Sequence, residues 1–76
     1  MSRRLPALTP RKVIQAVERA GFELYRVRGS HHHFLHPDRP ELLVTVPYHN
    51  RDLRMGTLRS IIKQTGLSEE EFLELL

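Results

Sequence analysis

A chain of 76 residues, 39% hydrophobic and 28% charged, has room for one small domain, and its lack of cysteine excludes a disulfide framework or a thiolate metal site. All 12 basic residues, ten of them arginine, fall within 1–67 against five acids, a balance of +7, while the last nine residues carry four glutamates, a balance of −4. The longest apolar run, Leu42-Leu43-Val44, stops at Thr45, and Pro6, Thr9 and Pro10 interrupt any leader after Arg3 and Arg4. That is far from the roughly 20 residues that cross a bilayer, so the expectation is a soluble cytoplasmic protein with no membrane partner.

Residues 1–8 read as a flexible N-terminal extension of a single domain spanning 1–76. Thr9-Pro10 starts a helix, with a hydroxyl N-cap and then proline where its missing N–H does no harm. Val13, Ile14, Val17 and Ala20 follow on one apolar face, and Gly21 suits the left-handed residue after a helix over 10–20. Phe22 to Arg28 reads as a strand in which Phe22, Leu24 and Arg26 alternate with Glu23, Tyr25 and Val27. Gly29-Ser30 is a turn, His31 to His36 a second strand, and His36-Pro37-Asp38-Arg39-Pro40 a tight turn or short loop with two prolines. Leu42 to Val46 is a third strand, bounded by Pro47. Short connections make the three an antiparallel meander. After an irregular polar stretch, Gly56-Thr57 opens a second helix with Thr57 as N-cap, Leu58, Ile61, Ile62 and Thr65 as its inner face, and Gly66 as its end. Ser68 and Glu71 form a capping box before a last short helix carrying Phe72, Leu73, Leu75 and Leu76. The order predicts an α+β domain, α-β-β-β-α with a short C-terminal helix, in which helices cover one face of a three-stranded antiparallel sheet.

Five histidines, four of them between positions 31 and 36, are the chemical signal. A metal site is one reading, but side chains alternate along a strand: His31 and His33 point one way, His32 and His36 need not join them, and no Cys or acid completes a set. Ordinary surface or partly buried histidines are a second reading, favoured most for His33 and His36 and less strongly for His32. The third is catalysis on RNA, whose 2′-hydroxyl is a nucleophile next to the scissile phosphate. Cleavage needs a base at that hydroxyl, an acid at the leaving 5′-oxygen and positive charge at the phosphorus. Imidazole titrates near neutrality and serves either proton role without a metal or cofactor. Arginine adds the charge, because its planar fork bonds phosphate bidentately and stacks on bases. Arginine standing in for lysine on a solvated surface is the plainer account of the same composition.

Four blocks carry a family resemblance: Arg28-Gly29-Ser30-His31-His32-His33-Phe34; His36-Pro37-Asp38; Val44-Thr45-Val46-Pro47-Tyr48-His49; and the run from Gly56 to Ser68. In this order and spacing they resemble the HicA (YcfA-like) toxins of bacterial and archaeal toxin–antitoxin pairs, over roughly residues 8–76. The resemblance implies a fold like the double-stranded-RNA-binding domain. It also implies ribosome-independent cleavage of mRNA that stops growth, and neutralisation by a HicB-type antitoxin in a hetero-oligomer, the free toxin being a monomer. The family's essential histidine lies in the Gly-Ser-His block, which maps to His31; a one-residue shift passes the role to His32.

Around that position, candidate RNA contacts are Arg26, Arg28, Gly29, Ser30, His49, Arg51, Arg54, Arg59 and Lys63. Gly29 is also a simple turn glycine, Ser30 a turn hydroxyl with no relay around it, and His49 a loop residue. Tyr25, Phe34 and Tyr48 either stack on bases or fill the core of so small a domain. A non-catalytic RNA-binding module of the same fold is the alternative to the nuclease, and a protein-interaction unit captured by an acidic antitoxin is a third possibility.

Overall fold

The computed structural model describes residues 4–76. Helix α1 (Pro10–Arg19) starts as predicted, with Pro10 at its first position and the Thr9 hydroxyl accepting from the Lys12 N–H at 3.4 Å. Gly21 follows with φ 98°. A Cβ there would lie 2.7 Å from Nε2 of His36, so glycine is required by backbone conformation and by space.

The sheet comprises β1 (Glu23–Arg28), β2 (His31–His36) and β3 (Arg39–Pro47), antiparallel in the order β1-β2-β3. Gly29, with φ 58°, and Ser30 join β1 to β2. Of the two readings of 36–40, the tight turn is the one found. His36 pairs with Arg39, so only Pro37 and Asp38 turn, and Pro40 lies inside β3. Proline is tolerated there because β3 is an edge strand, whose outward N–H groups have no ladder partner.

Helix α2 (Met55–Thr65) begins two residues before Thr57, so Thr57 is not its cap. Arg54 holds the N-cap position without a side-chain hydrogen bond. Tertiary anchoring outweighs the capping preference: Leu53 is buried, and its N–H donates to the Leu8 carbonyl at 2.8 Å, fixing where the chain enters the helix. Gly66 closes α2 with φ 78°. Helix α3 (Glu69–Leu73) carries the expected box, with the Ser68 hydroxyl accepting from the Glu71 N–H at 3.0 Å and the Ser68 N–H donating to the Glu71 carboxylate at 2.8 Å.

One face of the sheet supplies Phe34, Val44 and Val46 to the core, where they meet Val13, Ala16 and Val17 of α1, Leu58, Ile61 and Ile62 of α2, and Phe72 and Leu73 of α3. The element order and the one-sided helix layer are those of a double-stranded-RNA-binding-domain-like α+β fold. The expected flexible lead-in over 1–8 is instead packed from Leu5 onward, since Leu5 and Leu8 are buried in this core; residues 1–3 lie outside the described residues. Among the described residues no helix is long and apolar enough to cross a membrane.

Phe34 is 1% exposed and central to the core. Phe34→Ala should cost about 3–5 kcal/mol by transfer and cavity terms. That is a large fraction of the stability available to a domain of this size. Urea unfolding followed by circular dichroism is expected to show a marginal or unfolded variant. The capping box predicts an acid dependence. Hydrogen bonds from the Ser68 backbone and then its hydroxyl hold the Glu71 carboxyl below the ordinary glutamate value. The resulting stabilisation is fully present above that ordinary value and is lost as pH falls through the lowered one. Glu71→Gln should therefore flatten the acid limb of a pH–stability curve.

Candidate active site

Burial of Phe34 sorts the histidines of β2. His32 and His36 share its parity and face the helix layer, whereas His31 and His33 project from the open face. Each inward ring has its own packing. His36 is edge-on to Phe22 at 5.0 Å, its Nδ1 accepts from the Asp38 N–H at 3.1 Å, and its Nε2 lies 3.2 Å from the Ala20 carbonyl. An accepting Nδ1 places the proton on Nε2, which donates to that carbonyl. Both nitrogens of His36 are thereby satisfied. His32 is half-buried and stacked on Tyr48 at 4.8 Å, with its Nδ1 buried and without a partner.

The outward rings meet different neighbours. His31 is exposed, and its ring is edge-on to His33 with centroids 6.4 Å apart. Across the β1 ladder, Arg28 stands directly opposite His31 and Arg26 opposite His33. Side chains of such pairs leave the same face with Cβ atoms roughly 4.5–5.5 Å apart. On the β3 side, Pro47 is opposite His31 and Thr45 opposite His33, and the Thr45 hydroxyl lies 2.9 Å from His33 Nδ1. The Thr45 N–H points out of the sheet to the Gln64 side-chain carbonyl at 2.8 Å, so α2 tethers the strand that holds the ring.

The two arginines reach this face through a backbone irregularity. Simple alternation puts Arg26 and Arg28 on the side of Leu24, facing the helices. A β-bulge lies between Leu24 and Arg26, with Tyr25 as the extra residue. Tyr25 and Arg26 together oppose His33, the parity of β1 reverses, and both guanidinium groups turn to the open face. Tyr25 is 53% exposed, so it is not a core aromatic; Phe34 is, and Tyr48 covers His32.

The other candidates are more scattered. The Gly29-Ser30 turn borders His31, and the Ser30 carbonyl accepts from the Tyr48 N–H, holding the turn against the end of β3. His49, Arg51 and Arg54 line an open cleft of about 540 Å³ that begins at Pro47. In that loop, His49 Nδ1 accepts from the Arg51 N–H at 3.1 Å. Arg59 and Lys63 are on α2, across the sheet from His31, and Arg59 is 3.6 Å from Glu69. They are not brought to the open face. His33, for which an ordinary partly buried histidine is the favoured sequence reading, shares the open face with His31, as their i, i+2 spacing implies. Among the described residues no three His, Asp or Glu side chains converge to hold a metal ion.

A family model described as the HicA toxin of bacterial toxin–antitoxin systems matches residues 10–67. The chain belongs to the HicA toxin family. The match runs from α1 through α2 and so contains all three strands and both outward histidines of β2. Comparison with curated proteins gives no match. As a HicA toxin, the protein has a toxin's role in a toxin–antitoxin pair.

The contrast between inward and outward rings is measurable as stability. His36→Ala removes two hydrogen bonds and an aromatic contact, and should cost about 1–3 kcal/mol. His31→Ala, at an exposed position, should stay within about 0.5 kcal/mol of the parent. Urea midpoints of the two variants check both values.

Proposed function

We propose that this HicA toxin is an endoribonuclease that cleaves mRNA in the cytoplasm, through histidine acid–base chemistry and without a metal, and is neutralised by a HicB-type antitoxin. The observation that carries the reading is the exposed His31 ring, directly opposite Arg28 on a sheet face that no helix covers. An RNA strand on that face presents a phosphodiester to the guanidinium groups of Arg26 and Arg28. Imidazole at His31 exchanges a proton with the reacting ribose–phosphate oxygens. Arginine offsets the extra negative charge of the phosphorane-like transition state. The turn at Gly29-Ser30 leaves room for the backbone of the substrate, since nothing lies within 4 Å of a Cβ built at Gly29.

His32 is the alternative, and its half-buried ring behind Tyr48 favours a packing role. Tyr25 offers a face on which a base can stack beside Arg26. His49, Arg51 and Arg54 are placed to follow the strand past Pro47. An acidic antitoxin matching this basic face would occlude it, which is how capture and inhibition become one event.

The test uses His31→Ala and His32→Ala, each induced in cells and each incubated as purified protein with mRNA in EDTA. Loss of toxicity together with a drop of about 10²–10⁴-fold in cleavage for His31→Ala is expected, with the parent active in EDTA. Two variants as toxic as the parent would remove the assignment. A parent that shifts RNA on a gel and leaves it intact is a binding module instead.

A further inference from the structure

Transesterification of RNA moves two protons, one off the 2′-oxygen and one onto the 5′-oxygen, and His31 alone accounts for one of them. The two oxygens occupy opposite apices of an in-line displacement. With a hydrogen bond of roughly 2.6–3.2 Å at each end, the two reacting nitrogens must stand on the order of 6–9 Å apart. His31 and His33 share the open face, with ring centroids 6.4 Å apart and Arg28 and Arg26 alongside them. His32 and His36 are on the other side of the sheet, and His49 is in the loop after β3, with its Nδ1 engaged by the backbone of Arg51.

We infer that His33 is the second proton-transfer residue of the site and works with His31 across one scissile phosphate. This rests on the nuclease reading above. The support is the Thr45 hydroxyl at His33 Nδ1. A hydroxyl both donates and accepts. It accepts from Nδ1–H both in the cationic ring and in the neutral ring that remains once Nε2 has given up its proton. His33 therefore keeps its partner and its orientation through a full proton cycle, and Nε2 is left as the exchanging nitrogen. The geometry of the pair reinforces the contact. Because the Thr45 N–H points away to Gln64, positions 33 and 45 are a non-hydrogen-bonded pair, in which side chains come closest.

The same contact separates the roles. Only His33 has an oxygen to receive its second N–H when cationic. His33 is thus the donor to the 5′-oxygen, and His31 is the acceptor from the 2′-hydroxyl. The 2′-oxygen–phosphorus bond forms as the bond from phosphorus to the 5′-oxygen breaks. The products are a 2′,3′-cyclic phosphate and a 5′-hydroxyl end, with His31 protonated and His33 neutral until exchange with water resets them. The groups beside His33 are Arg26 and Tyr25 from β1, His31 from its own strand and Thr45 from β3, and the pairing also places Glu23, opposite Leu35, on this face.

A leaving group that needs no proton separates acid from base. The substrates are two RNA oligonucleotides, one natural and one with a single 5′-bridging sulfur at the bond the parent cleaves. His33→Gln should lose about 10²–10⁴-fold on the natural linkage. It should recover to near the parent rate on the sulfur linkage, whereas His31→Gln should recover on neither. The parent's bell-shaped pH profile should lose its alkaline limb in His33→Gln. Thr45→Val should lower kcat roughly fivefold to tenfold with KM unchanged, the equivalent of one hydrogen bond, and Thr45→Ser should restore it. A folded His33→Gln that cleaves the natural linkage like the parent, or gains nothing from sulfur, overturns the role of His33 and leaves the nuclease standing. A parent that cleaves neither substrate overturns both.

Discussion

Everything on the open face follows from the burial of one ring. Phe34 is the buried apolar residue of β2, and the core closes only if it points toward the helices. Strand geometry then leaves no freedom for its neighbours: alternate side chains go to opposite faces. Four histidines in six residues are thereby divided into two pairs of different character. The inward pair is packed, His36 with both nitrogens satisfied and His32 behind Tyr48. The outward pair faces solvent and two arginines.

The charge distribution obeys the same division. β1 is exposed along its whole length, so the side on which its arginines stand is set by its pairing with β2 and not by burial. The bulge at Tyr25 turns Arg26 and Arg28 together to the face of His31 and His33. The remainder of the fold serves as a support for this face. Gln64 ties β3 to α2, the Ser30–Tyr48 hydrogen bond holds the turn beside His31, and the Arg19 side chain donates to the Leu75 carbonyl, closing the C-terminal segment onto α1. A rigid scaffold on one side and exposed chemistry on the other is what the proposed two-histidine reaction requires, because strand pairing fixes the backbone positions from which both rings project.

Much of the fold is legible wherever a local rule acts alone. Thr9-Pro10, Gly21, Gly66 and the Ser68–Glu71 box mark the ends of elements through backbone chemistry within a few residues, and each is found in its expected role. Legibility fails where distant parts of the chain decide. Thr57 is a good cap by composition, but Leu53 is held by Leu8 and the helix starts earlier. Leu5 and Leu8 look like a loose lead-in because two leucines among prolines show no period, and only the packed core reveals what they cover. Pro40 reads as a loop residue until the pairing of His36 with Arg39 makes it part of an edge strand.

The amino-acid order by itself determined the number and kind of elements, the family, and the concentration of imidazole and guanidinium groups around one turn, because these depend on local spacing and composition. Which of those groups share a face was decided only in the folded sheet. A bulge shifts strand parity by one without leaving any mark in the hydrophobic pattern, and the partner strand, not β1 itself, sets where the extra residue goes. Arg26 and Arg28 therefore stand beside His31 and His33, and Thr45 meets His33 from a strand 12 residues away, through pairings that no reading of β1 or β2 alone contains.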